Sequence, residues 1–282
     1  MRFLFIVFFV AVSLLALLLP FTVTFEPAET EYSETTGLPP VPKIGVYDEL
    51  PDFSQFTDVN EKKLEFFSYL LPLIEAENLR ILHSRSKLLE IEENFKANML
   101  NDADRRQLAQ LMDYYEVDPS LSNEQVFAVL KRRVDVVPEM MVLMQAANES
   151  AWGTSRFARR GLNLFGQWCY REGCGIVPNQ RPEGQVYEVA KFDSVNQSVR
   201  SYMRNINTHP PYMDLRLLRE RKRARDEELR AIELVEGLGS YSERGDEYIE
   251  ELQSMIRVNR PLVMEVKQQM AAQLGDKPQT AN

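Results

Sequence analysis

Metal-binding side chains are scarce in this sequence. Its 282 residues include two cysteines and two histidines, and Cys169 and Cys174 have no histidine beside them. A structural zinc site takes four ligands and a catalytic site takes three. His83 lies among charged residues and His209 precedes two prolines, so both are typical of surface or structural histidines. We therefore expect no metal and no organic cofactor.

A net positive charge is also missing. The chain has 33 Lys and Arg against 42 Asp and Glu, which gives a formal charge of −9 at pH 7. Nucleic-acid-binding domains carry basic surfaces, so we expect no nucleic-acid partner. The same charge argues against long-range attraction to an anionic polymer. Capture of such a substrate would depend on a groove with stacking aromatics and hydrogen bonds.

One long apolar run stands at the start of the chain. Residues 3–25 contain no charge and are long enough to cross a bilayer. Arg2 and the terminal amine precede the run, so the positive-inside rule places the N-terminus in the cytoplasm. A cleaved signal peptide is the alternative, but its apolar part would be unusually long. We expect residues 1–25 to anchor the chain in the inner membrane, with the remainder in the periplasm.

The segments that follow the run differ in composition. Residues 26–56 hold five prolines among acidic and hydroxyl residues, which predicts a semi-extended tether. Residues 57–100 have apolar residues at helical spacing, which predicts a long amphipathic helix kinked or broken at Pro72. Helices are also predicted over 104–116 and from Ser122, where Gln125 completes a capping box. Residues 214–236 predict a charged helix with a solvated face.

Residues 138–168 carry the most chemical information. They read PEMMVLMQAANESAWGTSRFARRGLNLFGQW, and Pro138 suits the first position of a helix whose apolar residues recur at helical spacing. Glu149 follows as the apolar run ends, close to Trp152. A half-buried carboxyl beside apolar surface has a raised pKa, as a general acid at neutral pH requires. The alternative is a structural Glu before the N-cap of the next helix.

Two motifs in this stretch resemble a known family. ANESAWGTSRFA followed by NLFGQW is similar to the bacterial N-acetylglucosaminidases, family seventy-three of the glycoside hydrolases, which includes autolysins and the flagellar peptidoglycan hydrolase. Within the family, the nearest resemblance is to the Bax-type proteins of Gram-negative bacteria. The positions that match the family motif are Glu149, Ser150, Trp152, Gly153, Asn163, Leu164, Phe165 and Gly166.

The resemblance implies a fold and a reaction. The fold is a mainly α, lysozyme-like (α+β) domain over residues 101–262 with a small β-hairpin lobe, preceded by a helical segment over 57–100. Residues 263–282 would be the end of a helix and a polar tail. The reaction is cleavage of the β-1,4 bond after N-acetylglucosamine in peptidoglycan, with Glu149 protonating the leaving oxygen. We expect a monomer that acts on glycan strands without amidase activity.

The predicted β-lobe lies between Gly166 and Asp193. A turn signal at 182–184 precedes alternating residues at 185–192, which indicates a β-hairpin. Cys169 and Cys174 are close in sequence, and in an oxidising periplasm we expect them to form a disulfide, with two free thiols as the alternative.

Glycoside cleavage ordinarily uses a second carboxylate. The candidates in the β-lobe are Glu172, Glu183 and Glu188, and we prefer Glu188 because a strand fixes its direction. Each is also consistent with a solvated surface carboxylate. A mechanism that uses the acetamido group of the substrate would need no protein nucleophile. The sequence leaves this choice open.

Further site residues follow from the resemblance. The segment GLGSYSERGDEYIEELQSMI is similar to the family's Gly-Tyr-Ala-Thr-Asp-Pro-x-Tyr segment, with one extra residue and without Asp-Pro. Tyr241 matches the tyrosine that the family places at the active site, and we expect Tyr248 to pack in a helix. The candidates for substrate binding are Trp152, Asn163, Phe165, Trp168 and Tyr212. The aromatics among them compete with core packing, and Trp168 is the preferred stacking residue.

Two other functions fit part of the pattern. A lytic transglycosylase also carries Glu-Ser on a lysozyme-like helix, but it cleaves after N-acetylmuramic acid and leaves an anhydro end. A non-catalytic wall-binding protein would keep the fold without turnover. The Trp-Gly and Asn-Leu-Phe-Gly motifs and the Tyr241 segment favour the glucosaminidase.

Overall fold

A computed structural model describes residues 37–275, most of which are helical. The predicted anchor, residues 1–25, lies outside the described residues, as does the end of the predicted polar tail. Between residues 37 and 275, no helix is both long and apolar enough to cross a bilayer.

The α-helices of this part of the chain follow in order. They are α1 (Val59–Lys96), α2 (Asp102–Tyr114), α3 (Asn123–Arg133), α4 (Glu139–Ser150), α5 (Arg156–Gly161), α6 (Val195–Thr208), α7 (Met213–Ala224), α8 (Ala231–Leu234) and α9 (Asp246–Gly275). Short 3-10 helices span Phe53–Gln55, Pro210–Tyr212 and Val235–Leu238.

Helix α1 continues without interruption through Pro72, where a kink or break was predicted. Its apolar face is fully buried against α4 and α9. Burying a large apolar side chain contributes roughly 1.5–3 kcal/mol, and α1 buries several: Phe66, Phe67, Leu70, Leu71 and Ile74. That total exceeds the cost of about 3 kcal/mol for a proline inside a helix. Packing of the apolar side chains therefore outweighs the tendency of Pro72 to break the helix.

Helix α4 lies at the centre of the main core. Its residues from Met141 to Ala147 are all buried, and it contacts α1, α8 and α9. A helix surrounded on all sides is held rigidly, because every face packs against a neighbour. Glu149 is placed by this helix, one residue before its end.

Residues 38–56 pack on the helical domain. The backbone N–H of Tyr47 donates to Asn196 Oδ1 at 2.8 Å, and the Tyr47 carbonyl accepts from Val195 N at 2.7 Å. Phe53 is buried beside Phe66. The tether prediction is therefore wrong for residues 38–56, because partly buried apolar side chains of this segment and the buried Phe53 pack against the main core. Residues 26–36 lie outside the described residues.

A second, smaller core joins the end of α1 to α2 and α3. It is formed by Leu88, Ile91, Phe127 and Leu130, with aromatic and aliphatic side chains around them. The predicted capping box is confirmed, since Ser122 accepts from Gln125 N and the Gln125 side chain accepts from Ser122 N.

The predicted charged helix over 214–236 is wrong in its length, whereas most of its basic run is solvated and forms local ion pairs as predicted, with Arg219 as the exception. Helix α7 ends at Ala224, and the chain turns at Asp226, which has φ +53°. Arg219 is buried and donates to the carbonyls of Arg132, Asp135 and Val136. These carbonyls lie in the last turn of α3 or just after it, where cations bind favourably. Local sequence does not reveal such a distant partner.

The β-structure is a small antiparallel sheet of three strands, β1 (Trp168–Cys169), β2 (Gly175–Ile176) and β3 (Glu188–Ala190). Strand β3 lies in the middle and pairs with both others, with Cys169 opposite Glu188. The prediction of a mainly α fold with a small antiparallel β-lobe is confirmed. The strand predicted over 185–192 is shorter, and the lobe is a three-stranded sheet rather than a simple hairpin.

Candidate active site

The Glu-Ser-Ala-Trp-Gly motif forms an unusual end to α4. Ala151, Trp152 and Gly153 have φ of +51°, +58° and +75°. Ser150 Oγ donates to the Ala146 carbonyl at 2.6 Å and accepts from Gly153 N at 2.7 Å, which closes the turn. Left-handed non-glycine residues cost about 1–3 kcal/mol each and cluster at functional sites. The motif therefore specifies a backbone shape just after Glu149.

Glycine is required at the last of these positions. A Cβ on Gly153 would lie 2.5 Å from Cδ2 of Phe53. Phe53 belongs to the docked segment before α1, so the turn after Glu149 packs directly against that segment.

Glu149 is half-buried at this turn. Desolvation raises the pKa of its carboxyl above the ordinary value, while a hydrogen bond from Tyr248 acts in the opposite direction. The neighbouring Glu251 carboxylate also raises this pKa, and Arg244 lowers it. A carboxyl with a raised pKa and partial access to solvent has the properties of a general acid.

A buried chain of hydrogen bonds leads to Glu149. The Tyr248 hydroxyl donates to Glu149 Oε1 at 2.9 Å, and Gln145 Nε2 donates to the Tyr248 oxygen at 3.0 Å. The Tyr202 hydroxyl donates to Gln145 Oε1. Because the Gln145 amide must donate to Tyr248, the hydroxyl proton of Tyr248 must point at Glu149. The chain fixes one carboxylate oxygen and leaves Oε2 for a proton.

Tyr241 stacks on Tyr248, with ring centroids 5.4 Å apart and an angle of 7° between the rings. Its hydroxyl donates to the Phe165 carbonyl at 3.3 Å. The structure therefore brings Tyr241 next to the residues around Glu149. Tyr248 packs in a helix as predicted, and it has a second role that was not predicted, as the donor to Glu149. The sequence signal for Tyr248 was its place as the second tyrosine of the family segment.

Asn163 was predicted to bind substrate, but its side chain is fully engaged within the protein. It is buried, and its Nδ2 donates to the carbonyls of Gln167 and Ala190, both at 2.9 Å. Its Oδ1 accepts from the backbone N–H groups of Phe165 and Gln167. An amide side chain has no further donors, so the correct role of Asn163 is to join the Asn-Leu-Phe-Gly turn to β3.

Trp152 was predicted to line the groove, but it packs against α1. Its ring lies 5.5 Å from the Phe66 ring and 5.6 Å from the Phe67 ring, and Lys63 Nζ lies 5.3 Å over its centroid. Through these contacts, Trp152 packs the turn after α4 against α1.

Phe165 and Tyr212 are also packed. Phe165 is buried and stacks on Tyr202 with centroids 3.9 Å apart. Tyr212 lies 5.7 Å from the Tyr241 ring. Both support the aromatic cluster around the Glu149 network, which corrects the prediction that Phe165 lines the groove. No contact of Tyr212 tests its predicted role.

Trp168 differs from these aromatics because half of its surface is exposed. Its ring packs at 69° against Tyr187, with centroids 4.5 Å apart, and the neighbouring Tyr170 is 77% exposed. Exposed rings on a small sheet have free faces that can stack on a ligand. Trp168 as a substrate-binding residue stays a prediction.

The Glu188 carboxylate is buried and bound by backbone N–H groups. Its side chain is 4% exposed, and its two oxygens accept from Gly173 N at 3.0 Å and Gly175 N at 2.7 Å. These hydrogen bonds hold the pKa of the Glu188 carboxyl below its ordinary value. A buried carboxylate with both oxygens engaged cannot serve as nucleophile or base, so the preferred second carboxylate is corrected to a structural residue. Glu172 and Glu183 are exposed on loops.

Gly173 and Gly175 flank Cys174, which the structure joins to Cys169 in a disulfide. The two sulfurs and a Glu188 oxygen lie within 4.8 Å of one another. Since metal binding uses free thiolates, the disulfide state of this cluster offers no ligand pair. The cluster fixes the loop between β1 and β2.

Two comparisons with known proteins find matches to this chain. Residues 124–260 match the Glucosaminidase family model, described as mannosyl-glycoprotein endo-beta-N-acetylglucosaminidase. Over 215 residues the chain is 33% identical to Protein bax of Escherichia coli (strain K12), which covers 76% of this chain and 76% of that protein. No solved structure matches the chain. The family match includes Glu149, the sheet and Tyr248, whereas α1 and α2 lie outside it.

Proposed function

Since this chain belongs to the glucosaminidase family and is of the Bax type, we propose that it is a peptidoglycan hydrolase that cleaves the β-1,4 bond after N-acetylglucosamine. The observation that carries the proposal is the half-buried Glu149 carboxyl, held by Tyr248 at 2.9 Å. A raised pKa keeps a larger share of this carboxyl protonated, as donation to a leaving oxygen requires.

In the proposed reaction, Glu149 donates its proton to the leaving oxygen as the glycosidic bond breaks. The Tyr248 hydroxyl holds Oε1, so the proton sits on Oε2. As Glu149 becomes ionised, the hydrogen bond from Tyr248 becomes charge-assisted and stronger. This increases the stabilisation where negative charge develops, which is how a positioned donor accelerates a reaction.

Trp168 supports the substrate side of the proposal. Its exposed ring and the neighbouring Tyr170 offer apolar faces, and the net charge of −9 leaves stacking as the means of capture on an anionic glycan. We expect Trp168→Ala to raise KM with little change in kcat, because it removes binding shared by substrate and transition state. Kinetics on soluble glycan fragments measure both constants.

The membrane anchor completes the proposal. Residues 3–25 read as an apolar span, and their position at the start of the chain would tether the hydrolase on the outer side of the inner membrane. Alkaline extraction of membranes tests this, because an anchored chain stays in the pellet whereas a cleaved one is released.

The test of the reaction is digestion of purified peptidoglycan by the full chain in detergent, beside Glu149→Gln. We expect reducing-end N-acetylglucosamine in mass spectra of the parent products, and none from the variant. Anhydromuramic ends would instead identify a lytic transglycosylase. Glycan binding without products would identify a wall-binding protein.

A glycoprotein bearing high-mannose glycans is the second substrate to test, since the family description names mannosyl-glycoproteins. The bond after N-acetylglucosamine occurs in both polymers. Release of glycans from the glycoprotein, with peptidoglycan left intact, would contradict the proposed substrate class.

A further inference from the structure

A carboxylate on α9 lies close to the Glu149 network. Glu251 follows Tyr248 by three residues on the same helix, so the two side chains project from neighbouring positions on one face. Tyr248 reaches Glu149 at 2.9 Å. The helix that supplies the partner of the acid therefore also supplies a second carboxylate beside it.

Glu251 is accessible where Glu188 is not. Its side chain is 37% exposed, against 4% for Glu188, whose oxygens are both taken by backbone N–H groups. Arg244 Nη1 donates to Glu251 Oε2 at 2.7 Å. This leaves Glu251 Oε1 open to solvent or substrate, while the hydrogen bond from Arg244 fixes the position of the carboxylate.

Arg244 belongs to the segment between Tyr241 and Tyr248. The ion pair with Glu251 therefore joins that segment to α9 beside the stacked tyrosines. The same two charges act on the acid, since Glu251 raises the pKa of Glu149 and Arg244 lowers it. The two carboxyl groups therefore have different surroundings, since Glu149 is half-buried and held by Tyr248, whereas Glu251 is accessible and held by Arg244.

We propose that Glu251, held by Arg244, is the second carboxylate of this site and the base that activates the attacking water. The inference rests on the proposed glucosaminidase function. As water oxygen bonds to the anomeric carbon, the bond from that carbon to the leaving oxygen breaks. Glu149 gives its proton to the leaving oxygen, and Glu251 takes the proton of the water. Exchange with solvent then restores both groups.

The test is Glu251→Gln in the full chain, with Glu250→Gln as the matched control. Glu250 is exposed at the preceding position of α9. We expect Glu251→Gln to lower kcat by about 10²–10⁴-fold, the usual contribution of a general base, and Glu250→Gln to stay within about twofold. Far-ultraviolet circular dichroism and the melting temperature should match the parent, because Gln keeps the size of Glu251 and a hydrogen bond to Arg244.

Azide separates a base from a structural residue. Azide is an anionic nucleophile that needs no base, so it should restore turnover of Glu251→Ala, whose shorter side chain leaves room for it, and yield a glycosyl azide, seen by mass spectrometry. Restoration would not occur if the loss came from distorted structure. An unchanged kcat in Glu251→Gln, or a loss that azide leaves in place, would overturn the assignment.

The parent digestion distinguishes this inference from the function beneath it. If the parent releases no reducing-end N-acetylglucosamine, both fail. If the parent does so and Glu251→Gln does equally well, the glucosaminidase stands and Glu251 is not its base.

Discussion

The carboxyl groups on the helical side of the candidate site and in the β-lobe have opposite environments. On the helical side, Glu149 is desolvated and accepts a hydrogen bond from one tyrosine, which leaves an oxygen open. In the β-lobe, Glu188 is buried with both oxygens bound to backbone N–H groups. The first arrangement favours the protonated carboxyl, and the second favours the carboxylate.

The aromatic side chains of the two sides also differ, because they are packed on the helical side and exposed in the β-lobe. Tyr202, Phe165 and Tyr241 pack around the Glu149 network, whereas Trp168 and Tyr170 of the β-lobe are exposed. The helical side therefore has a packed aromatic cluster around its carboxyl, whereas the β-lobe has exposed rings. A carboxylate's place in a lobe does not reveal its role, whereas its hydrogen-bond partners do.

The largest expected effect is on kcat, which should fall far more when Glu149 is replaced than when Glu188 is replaced. Glu149→Gln keeps the shape of the side chain but cannot donate a proton to the leaving oxygen, so we expect kcat to fall about 10²–10⁴-fold. Glu188→Gln should keep kcat within about tenfold, because the side chain acts only on the loop. Hydrolysis rates on peptidoglycan measure both. Equal losses in the two variants would return Glu188 to the chemistry.

The next effect contrasts glycines with positive φ. In Gly153→Ala the new Cβ would lie 2.5 Å from Phe53, and overpacking with backbone strain should cost about 2–4 kcal/mol of unfolding free energy. Gly184, in the β-lobe, also has a positive φ, but a Cβ there would meet nothing within 4 Å.

The matched variant Gly184→Ala should therefore cost only the strain, about 1–2 kcal/mol. Urea denaturation of both variants gives the two free energies. If they were equal, the contact of Phe53 with the α4 turn would contribute nothing.

A smaller effect distinguishes the tyrosines. Tyr248→Phe removes the donor to Glu149 and leaves the Gln145 N–H without its acceptor, so we expect kcat to fall about tenfold, the loss of one hydrogen bond to a charged group. It should also move the alkaline limb of the pH–rate profile upward, because the hydrogen bond lowers the pKa of Glu149.

Tyr187→Phe is the control from the β-lobe, because it keeps the ring that contacts Trp168. It should leave kcat and the alkaline limb unchanged. If the alkaline limb of the pH–rate profile did not shift in Tyr248→Phe, Tyr248 would not lower the pKa of Glu149.

The features that sequence predicts correctly are local. Ser122 and Gln125 of the capping box are three positions apart, and Cys169 and Cys174 are five apart. The end of the apolar run at Glu149 likewise follows from helical periodicity, since it depends only on neighbours along one helix.

The features that sequence misses depend on distant partners. Tyr248 lies 99 residues from Glu149, and Tyr47 lies 149 residues from Asn196. Asn163 was misassigned because a buried amide and a ligand-binding amide have the same sequence signal. Only the carbonyls of Gln167 and Ala190, brought together by folding, distinguish them.

The smallest effect is the dependence of stability on pH, and its sign should differ between the two carboxylates. Folding raises the pKa of Glu149 above its ordinary value of 4.5. Its contribution to stability is therefore full below pH 4.5 and is lost as pH rises through the folded pKa. Folding lowers the pKa of Glu188, so its contribution is present above 4.5 and is lost as pH falls through the folded pKa.

At neutral pH, Glu149→Gln should then raise the melting temperature, because it removes a desolvated charge, and Glu188→Gln should lower it, because it removes a bound one. The Glu149→Gln difference should shrink as the pH falls through the raised folded pKa toward 4.5, and the Glu188→Gln difference should shrink below 4.5, as the pH falls through its lowered folded pKa. Melting curves from pH 3 to pH 8 measure this. A Glu149→Gln variant less stable than the parent at neutral pH would mean that the acid sits in its site at no cost, and the contrast between the two sides would reduce to hydrogen-bond geometry alone.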